Sequence, residues 1–337
     1  MRVSVIVPVR NEQAHIAACL DALLAQQPPP GDDYELLVID GVSTDRTREI
    51  VGEFISRDAR IRLLDNPQRT APCALNIGID AARGDVIIRV DGHATVAPDF
   101  VAQNLALLAE HPDAWVVGGP IVHRGRTVFA RGAAAAMSSR IGVGGASHRF
   151  AAHEGEAESC AFPTCPRHVF HEHGLRYDEQ LVRNQDDEFC LRVCQAGGRI
   201  IISPRVKYDY FVRETPRQLW RQYAQYGFWK VAVMRKHRRV AALRHLVPAA
   251  FVAGLPVCVA LGVLLPWPWG MVALSPLLLY ALMLIVFALG VLWRERHVGV
   301  ALCAPLAATI LHLAYGSGTL LGLLRARAPQ SMTQLSR

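Results

Sequence analysis

Between Leu246 and Trp293 the chain carries no Asp, Glu, Lys, Arg or His, and between Val298 and Leu324 it carries only His312. Such runs are membrane material. The stretches Leu246–Pro266, Met271–Trp293 and Val298–Leu324 are each long enough to cross about 30 Å of hydrocarbon. The link Pro266-Trp267-Pro268-Trp269-Gly270 is short, uncharged and aromatic, which suits a tight turn at a membrane interface. Immediately before the first stretch comes the densest basic cluster of a chain with net charge +7: Arg235, Lys236, His237, Arg238, Arg239, Arg244 and His245. That position points to membrane phosphates and a cytoplasmic flank, and away from nucleic acid. Three crossings would leave Arg325 and Arg327 on the far side, against the same charge rule, so a re-entrant third segment and an even number of spans both stay open.

What precedes these stretches has the pattern of a soluble domain. Val3–Val9 is a seven-residue apolar run, too short for a signal peptide and suited to a strand. Ile16, Cys19, Leu20, Leu23 and Leu24 follow at helical spacing, and Pro28–Pro30 with Gly31 end that helix. Glu35–Ile39 reads as a second strand, closed by Asp40-Gly41-Val42-Ser43-Thr44, where Ser43 or Thr44 can cap a helix with Ile50, Val51 and Phe54 inward. Arg60–Leu64 is a third strand, Pro72–Ala82 a third helix, and Ala114–Val117 a fifth strand stopped by Gly118-Gly119-Pro120. The alternation predicts an α/β fold whose mostly parallel sheet has helices on both faces. Eight cysteines without CxxC pairs fit free thiols in a reducing compartment.

The fourth strand, in Asp85–Ala94 (DVIIRVDGHA), is β-branched and apolar until it meets Asp91-Gly92-His93. In an open α/β sheet ligands sit outside the carboxyl ends of strands, and a carboxylate and an imidazole two residues apart can converge on one divalent cation. The plain alternative is a surface turn. Farther on, Gly142–Glu158 has no apolar periodicity and reads as a mobile loop. Cys160, Cys165, His168, His171 and His173 match no common zinc spacing. Asp186, Asp187 and Glu188 then open a helix with Phe189 and Val193 inward. One acid there would be explained by the helix dipole; three adjacent acids repel, which raises a cation or a proton-accepting role. On this helix Asp186 sits nearest the core-facing edge, Asp187 is the second choice for a base, and Glu188 is placed to pair with Arg192 at i+4. Thr215-Pro216 starts another helix, whose stripe of Trp220, Tyr223, Ala224, Gly227, Phe228, Val231 and Met234 is flanked by Arg217, Arg221, Lys230 and Arg235 and reads as lying in the lipid interface, the alternative being an ordinary core helix.

Taken together, SVIVPVRNE (Ser4–Glu12), VIDGVSTDRT (Val38–Thr47), NIGIDAARGDVIIRVDGHA (Asn76–Ala94) and NQDDEFCLRVCQAGG (Asn184–Gly198) resemble the inverting family-2 glycosyltransferases over roughly residues 1–210. With LWRQYAQYGFWK (Leu219–Lys230) and the apolar stretches, the chain resembles more narrowly the bacterial enzymes that build succinoglycan-like exopolysaccharide units on a polyprenyl-diphosphate carrier. The resemblance implies a nucleotide-diphospho-sugar transferase (GT-A type) fold and a single-displacement reaction. It implies that Pro8, Arg10 and Glu12 line the nucleotide pocket and that Asp40 hydrogen-bonds a uracil. Asp91, Gly92 and His93 would stand at the Asp-x-Asp metal motif, with Mn²⁺ or Mg²⁺ on Asp91 and His93, and Asp186 would be the base. Two departures matter: His93 replaces the second metal aspartate, and Gln185-Asp186 replaces the usual Glu-Asp.

The implied partners are a nucleotide-diphospho-sugar such as UDP-glucose, a lipid-linked saccharide acceptor and the membrane. The implied place is the bacterial inner membrane, with the catalytic domain cytoplasmic. Gln218-Leu219-Trp220-Arg221-Gln222 stands where processive synthases carry Gln-x-x-Arg-Trp, so addition of one sugar is expected rather than polymer extrusion. A nucleotidyltransferase would want a Gly-rich phosphate loop that VPVRNE lacks. The expected organisation is a catalytic domain at 1–212, an amphipathic interface helix and basic linker at 213–245, about three membrane-embedded helices at 246–324, and a tail at 325–337.

Overall fold

The computed structural model describes residues 2–27, 33–145, 154–238 and 245–325. The Pro28–Gly31 terminator, Arg239 and Arg244 of the basic cluster, residues 146–153 of the expected loop and the tail beyond Arg325 lie outside the described residues. The chain forms two compact units, Met1–Val122 with Ser147–Tyr210, and His123–Ala146 with Phe211–Arg337.

In the first unit the expected alternation is present: β1 (Arg2–Val9), α1 (Ile16–Leu24), β2 (Asp33–Asp40), α2 (Thr47–Ile55), β3 (Ile61–Asp65), α3 (Ala71–Ala81), β4 (Val86–Arg89), β5 (Thr95–Val96), α4 (Phe100–Glu110) and β6 (Ala114–Gly118). After β7 (Val122–Arg124), α5 (Val128–Met137) and α6 (Arg140–Val143), the unit resumes with β8 (Gly155–Glu156), β9 (Thr164–Pro166), α7 (Arg167–His171), α8 (Gln185–Gln195), β10 (Arg199–Ile202) and β11 (Tyr208–Phe211). The main sheet has eight strands in the order β3-β2-β1-β4-β9-β6-β10-β8. β1 pairs parallel with both β2 and β4, and β10 with β6, but β9 runs antiparallel between β4 and β6. Gly155–Glu156, inside the expected loop, is an antiparallel edge strand on β10.

Successive side chains of a strand point to opposite faces, and here both faces are covered. Val3, Val5 and Val7 of β1 pack with Ile16, Leu20, Leu23 and Phe100 on one side. Ile6, with Leu37, Ile39 and Ile87, packs with Leu75, Ile79 and Phe189 on the other. All four β4 residues are buried, so the strand delivers the segment that follows it to the sheet's carboxyl edge. α2 is capped neither by Ser43 nor by Thr44: it begins at Thr47, whose backbone N–H and hydroxyl both donate to Asp45 Oδ1. All eight cysteines are free thiols.

The second unit contains α5, α6, α9 (Pro216–Lys236), α10 (Val247–Leu264), α11 (Trp269–Glu295) and α12 (Val298–Leu324). The expected domain at 1–212 therefore gives up residues 123–146, because α5 is built from small residues that let α12 come close. A side chain at Gly132 would meet Cys303 and the backbone of Ala304 at 2.6–2.8 Å. His312 completes the junction by donating from Nε2 to the Ile141 carbonyl at 2.8 Å and accepting at Nδ1 from the Tyr280 hydroxyl at 2.8 Å. The stripe expected in lipid faces α12 instead. Tyr223, Gly227, Phe228, Val231 and Met234 are buried, and Trp220 alone of that stripe is exposed. The α9–α12 contact is close enough that a Cβ on Gly318 would lie 2.0 Å from the Ala224 carbonyl oxygen.

Candidate active site

Three loops meet the carboxyl ends of the parallel strands, and their side chains lace two of them together. After β1, Asn11 takes the left-handed conformation (φ 56) and its Oδ1 accepts from Thr44 N at 2.8 Å, while its own N–H donates to Ser43 Oγ at 2.9 Å. Glu12 N donates to Thr47 Oγ1 at 2.8 Å and Gln13 N to Asp45 Oδ2 at 3.1 Å. Pro8, Arg10 and Glu12 are thus held beside the β2 loop, each partly exposed. Val42, next to this seam, is β-branched with φ 58, a strained backbone that surrounding structure must enforce.

Asp40 ends β2 and is fully buried. Its Oδ2 accepts from Ser43 N at 3.1 Å and from Arg48 Nη1 at 2.8 Å, and Arg48 also reaches Asp65 Oδ1 at 2.7 Å. Oδ1 is buried with no hydrogen-bond partner, an acceptor still owed a donor. The segment after β4 presents Asp91 with its side chain 21% exposed and His93 at 32%. Gly92 between them has to be glycine, since a Cβ there would sit 2.6 Å from Val9 Cγ1. His93 Nδ1 lies 3.3 Å from Glu12 Oε1, so imidazole and carboxylate from two different loops meet. Beneath them the Cys19 thiol is pushed up to about 12, by burial first and then by the charges of Asp91 and Glu12.

Arg89 is the residue that sequence reasoning missed. Two positions before Asp91 it shares that residue's side of the strand, and its Nε and Nη2 both lie 3.0 Å from Asp91 Oδ1. It is buried, and burial works against its charge, but Asp91 first, then Tyr177 and Asp186, outweigh that and raise its pKa. The available signal was an arginine inside an otherwise apolar strand, a costly choice unless acids face it.

Asp186 approaches from α8, which starts after Asn184 in the left-handed conformation (φ 59). The helix is anchored by Phe189, fully buried and stacked on Tyr177 at 4.7 Å, and Tyr177 in turn exchanges two 2.9 Å hydrogen bonds with Asn76. The three acids then divide. Glu188 turns inward, fully buried, and pairs with Arg192 through two 2.9 Å hydrogen bonds; Asp187 accepts from Ser159 Oγ at 2.6 Å; Asp186 is the one within the field of Arg89. The His/Cys stretch forms no metal group among the described residues. Cys160 and Cys165 are buried, and His173 stacks on Trp115 at 3.8 Å.

An aspartate, an imidazole and a neighbouring glutamate lie at the end of β4, ligand types that Mn²⁺ and Mg²⁺ accept, but their ligand atoms are not all within 4.8 Å of one another; among the described residues those of Glu110, His111 and Glu154 are. Of the flanking residues on α9, Arg221 is exposed, Lys230 is buried, and Arg235 donates to the carbonyls of Leu323 (2.8 Å) and Arg325.

Comparison with known proteins agrees with this arrangement. Residues 4–165 match the family model of glycosyl transferase family 2. The chain is 30% identical over 320 residues to the succinoglycan biosynthesis protein ExoA of Rhizobium meliloti (strain 1021), covering 93% of this chain and 92% of that one. It is 28% identical over 240 residues to the dolichyl N-acetyl-alpha-D-glucosaminyl phosphate 3-beta-D-2,3-diacetamido-2,3-dideoxy-beta-D-glucuronosyltransferase of Methanococcus voltae, covering 69% and 74%. Among solved structures, the mannosyltransferase PcManGT from Pyrobaculum calidifontis in complex with GDP-Man and Mn²⁺ superposes with a TM-score of 0.62 at 20% identity, covering 97% of this chain and 88% of that one, a likeness of fold.

Proposed function

We propose that this chain, which belongs to glycosyl transferase family 2 and is a glycosyltransferase, moves one hexose from a UDP-sugar such as UDP-glucose to a polyprenyl-diphosphate-linked saccharide. It does so at the cytoplasmic face of the bacterial inner membrane, in exopolysaccharide synthesis. The observation that carries the reading is Arg89: one buried guanidinium hydrogen-bonds Asp91, at the end of β4, and lies in the field of Asp186, at the start of α8. That both acids act on one guanidinium supports a single site, with one acid suited to the diphosphate's cation and the other to proton abstraction.

Each group then has a task. Pro8, Arg10 and Glu12 border the nucleotide, and the unpaired Asp40 Oδ1 is the acceptor for the uracil N–H. Asp91 and His93 would hold Mn²⁺ or Mg²⁺, which would supply charge neutralisation for the diphosphate. Asp186 takes the proton of the acceptor hydroxyl as that oxygen attacks the anomeric carbon from the side opposite the diphosphate, which inverts the configuration. Arg89 keeps the Asp91 carboxylate aimed, and Ser159 keeps Asp187 out of the reaction.

The relative from Rhizobium meliloti, named for succinoglycan biosynthesis, and that from Methanococcus voltae, whose name gives a lipid-linked acceptor, support the acceptor class. The test is to incubate membranes containing the chain with radiolabelled UDP-sugars and a lipid-linked saccharide. Label should pass into the organic-extractable fraction and stay out of it with Asp186→Asn. Transfer to a water-soluble sugar with equal efficiency would remove the lipid-linked acceptor.

A further inference from the structure

α10, α11 and α12 are all long and apolar enough to cross a membrane, yet they are built into their unit very differently. In the most apolar windows of α10 and α11 only 6% of residues are buried, whereas in α12 the share is 39%. α12 is lined with small residues, among them Ala304, Ala308, Gly316, Gly318 and Gly322, all buried. Small residues at a helix surface let another backbone approach closely. Ala224, Gly227 and Phe228 of α9 are the neighbours at Gly318, Tyr315 and Gly322, so the two helices run side by side in the same direction along the second half of α12.

That pairing decides what α12 can do. A crossing by α12, which is about 40 Å long, would carry α9 into the hydrocarbon with it. α9 contains Arg217, Gln218, Arg221, Gln222, Gln225 and Lys230, and Arg217, Gln218 and Arg221 are exposed. Charged side chains facing lipid are strongly disfavoured. Both ends of α12 are also tied to charged protein. Just before its start, Glu295, the last residue of α11, pairs with Arg131 of α5 at 3.1 Å. At its end, Arg235, in the basic flank that precedes α10, donates to the Leu323 and Arg325 carbonyls. Entry to α10 and exit from α12 are therefore on one side.

α10 and α11 have the opposite character. No Asp, Glu, Lys, Arg or His lies between Leu246 and Trp293, and their large side chains face outward, with Val263, Leu264 and Trp267 each 78–79% exposed at the turn. Gly262 of α10 packs against Leu274 of α11, and both helices also meet α12, Pro248 and Val252 at Gly316 and Tyr280 at His312, while the large side chains at their turn stay exposed.

We infer that α10 and α11 enter the bilayer as one helical hairpin while α12 stays on the protein side, so that the chain beyond Leu324 emerges on the same face as α9 and the basic flank. This rests on the membrane-anchored reading above and makes the number of passages even. Arg325 then lies on the same side as Arg235, as the charge rule requires.

The experiment uses the full chain with one epitope tag at each end, in inverted and right-side-out vesicles washed with alkaline carbonate. The expected result is a chain that resists the wash and loses both tags together to protease in one orientation, keeping both in the other. Loss of one tag in each orientation would overturn the inference while leaving the membrane anchor standing. Release of the chain by carbonate would overturn the anchor and the inference with it.

Discussion

Two acidic groupings in the first unit look alike by composition and differ in what already balances them. At the end of α4, Glu110, His111 and Glu154 bring their ligand atoms within 4.8 Å of one another, tighter than anything at the strand ends. Arg205 fills that group: its guanidinium reaches Glu110 and, at 2.8 Å, Glu154, and His111 bonds Glu154 at 2.9 Å. At the end of β4 the acids are farther apart, but Arg89 bonds Asp91 and its pKa is raised by Asp91 and also by Asp186, and Glu12 adds a carboxylate beside His93. The first group is tied together by Arg205 and His111; in the second, the carboxylates come from three separate segments of the chain. On the proposed reading the cation belongs to the sheet's carboxyl edge and not to the group whose ligand atoms lie closest together.

The largest effect that would sharpen the contrast is on turnover. Asp186→Asn keeps the shape of the β4 group and removes its base, lowering kcat about 10²- to 10⁴-fold with donor affinity little changed. Asp187→Asn should do less, and the reverse ranking in a steady-state assay would transfer the role to Asp187. Next comes the metal. His93→Ala should raise the Mn²⁺ concentration for half-maximal activity at least about tenfold, whereas Glu110→Gln should leave it unchanged. A titration in which the two variants behave alike would break the comparison. Because a ligating imidazole must be neutral, wild-type activity should also fall on acidification and recover with added Mn²⁺.

Smaller effects concern stability. Glu188→Gln removes the buried partner of Arg192 and should cost about 1–3 kcal/mol by denaturant midpoint without changing metal dependence. The least is expected at Glu154, whose pKa is lowered to about 2 by its hydrogen bonds to His111 and Arg205. A depressed carboxylate stabilises the fold above its unfolded pKa, and that contribution disappears as the pH falls from about 4.5 towards 2. Because the group is largely exposed, Glu154→Gln should cost only about 0.2–1 kcal/mol at neutral pH and flatten stability across that acid range.

Much of this was legible in the chain. The run from β1 to β4 has period-2 and period-3.6 patterns over enough residues to be read one after another, and Asp40, Asp91 and Asp186 were singled out because each follows or begins such a run. Arg89 was passed over for the same reason: within a strand pattern it counts as an interruption, and only its contact with Asp91 shows why the strand tolerates it. β9 is three residues long in a stretch of Cys, Pro and His with no period, so its antiparallel place between β4 and β6 left no trace to read.

Sequence by itself determined where chain segments are helical, extended or uncharged, and which residues close the strands, because those follow from local sterics and from which side of an element avoids water. Tertiary structure alone decided what covers each hidden face. Val231 and Phe228 are apolar whether they meet lipid or α12, and Gly132 and Ala133 bury a surface that hydrophobic periodicity barely registers. The same holds for the three acids of α8, identical in kind along the chain. Which one turns to Arg192, which to Ser159 and which towards Arg89 depends on partners at other points of the sequence, brought to the helix only when the sheet and its helices pack.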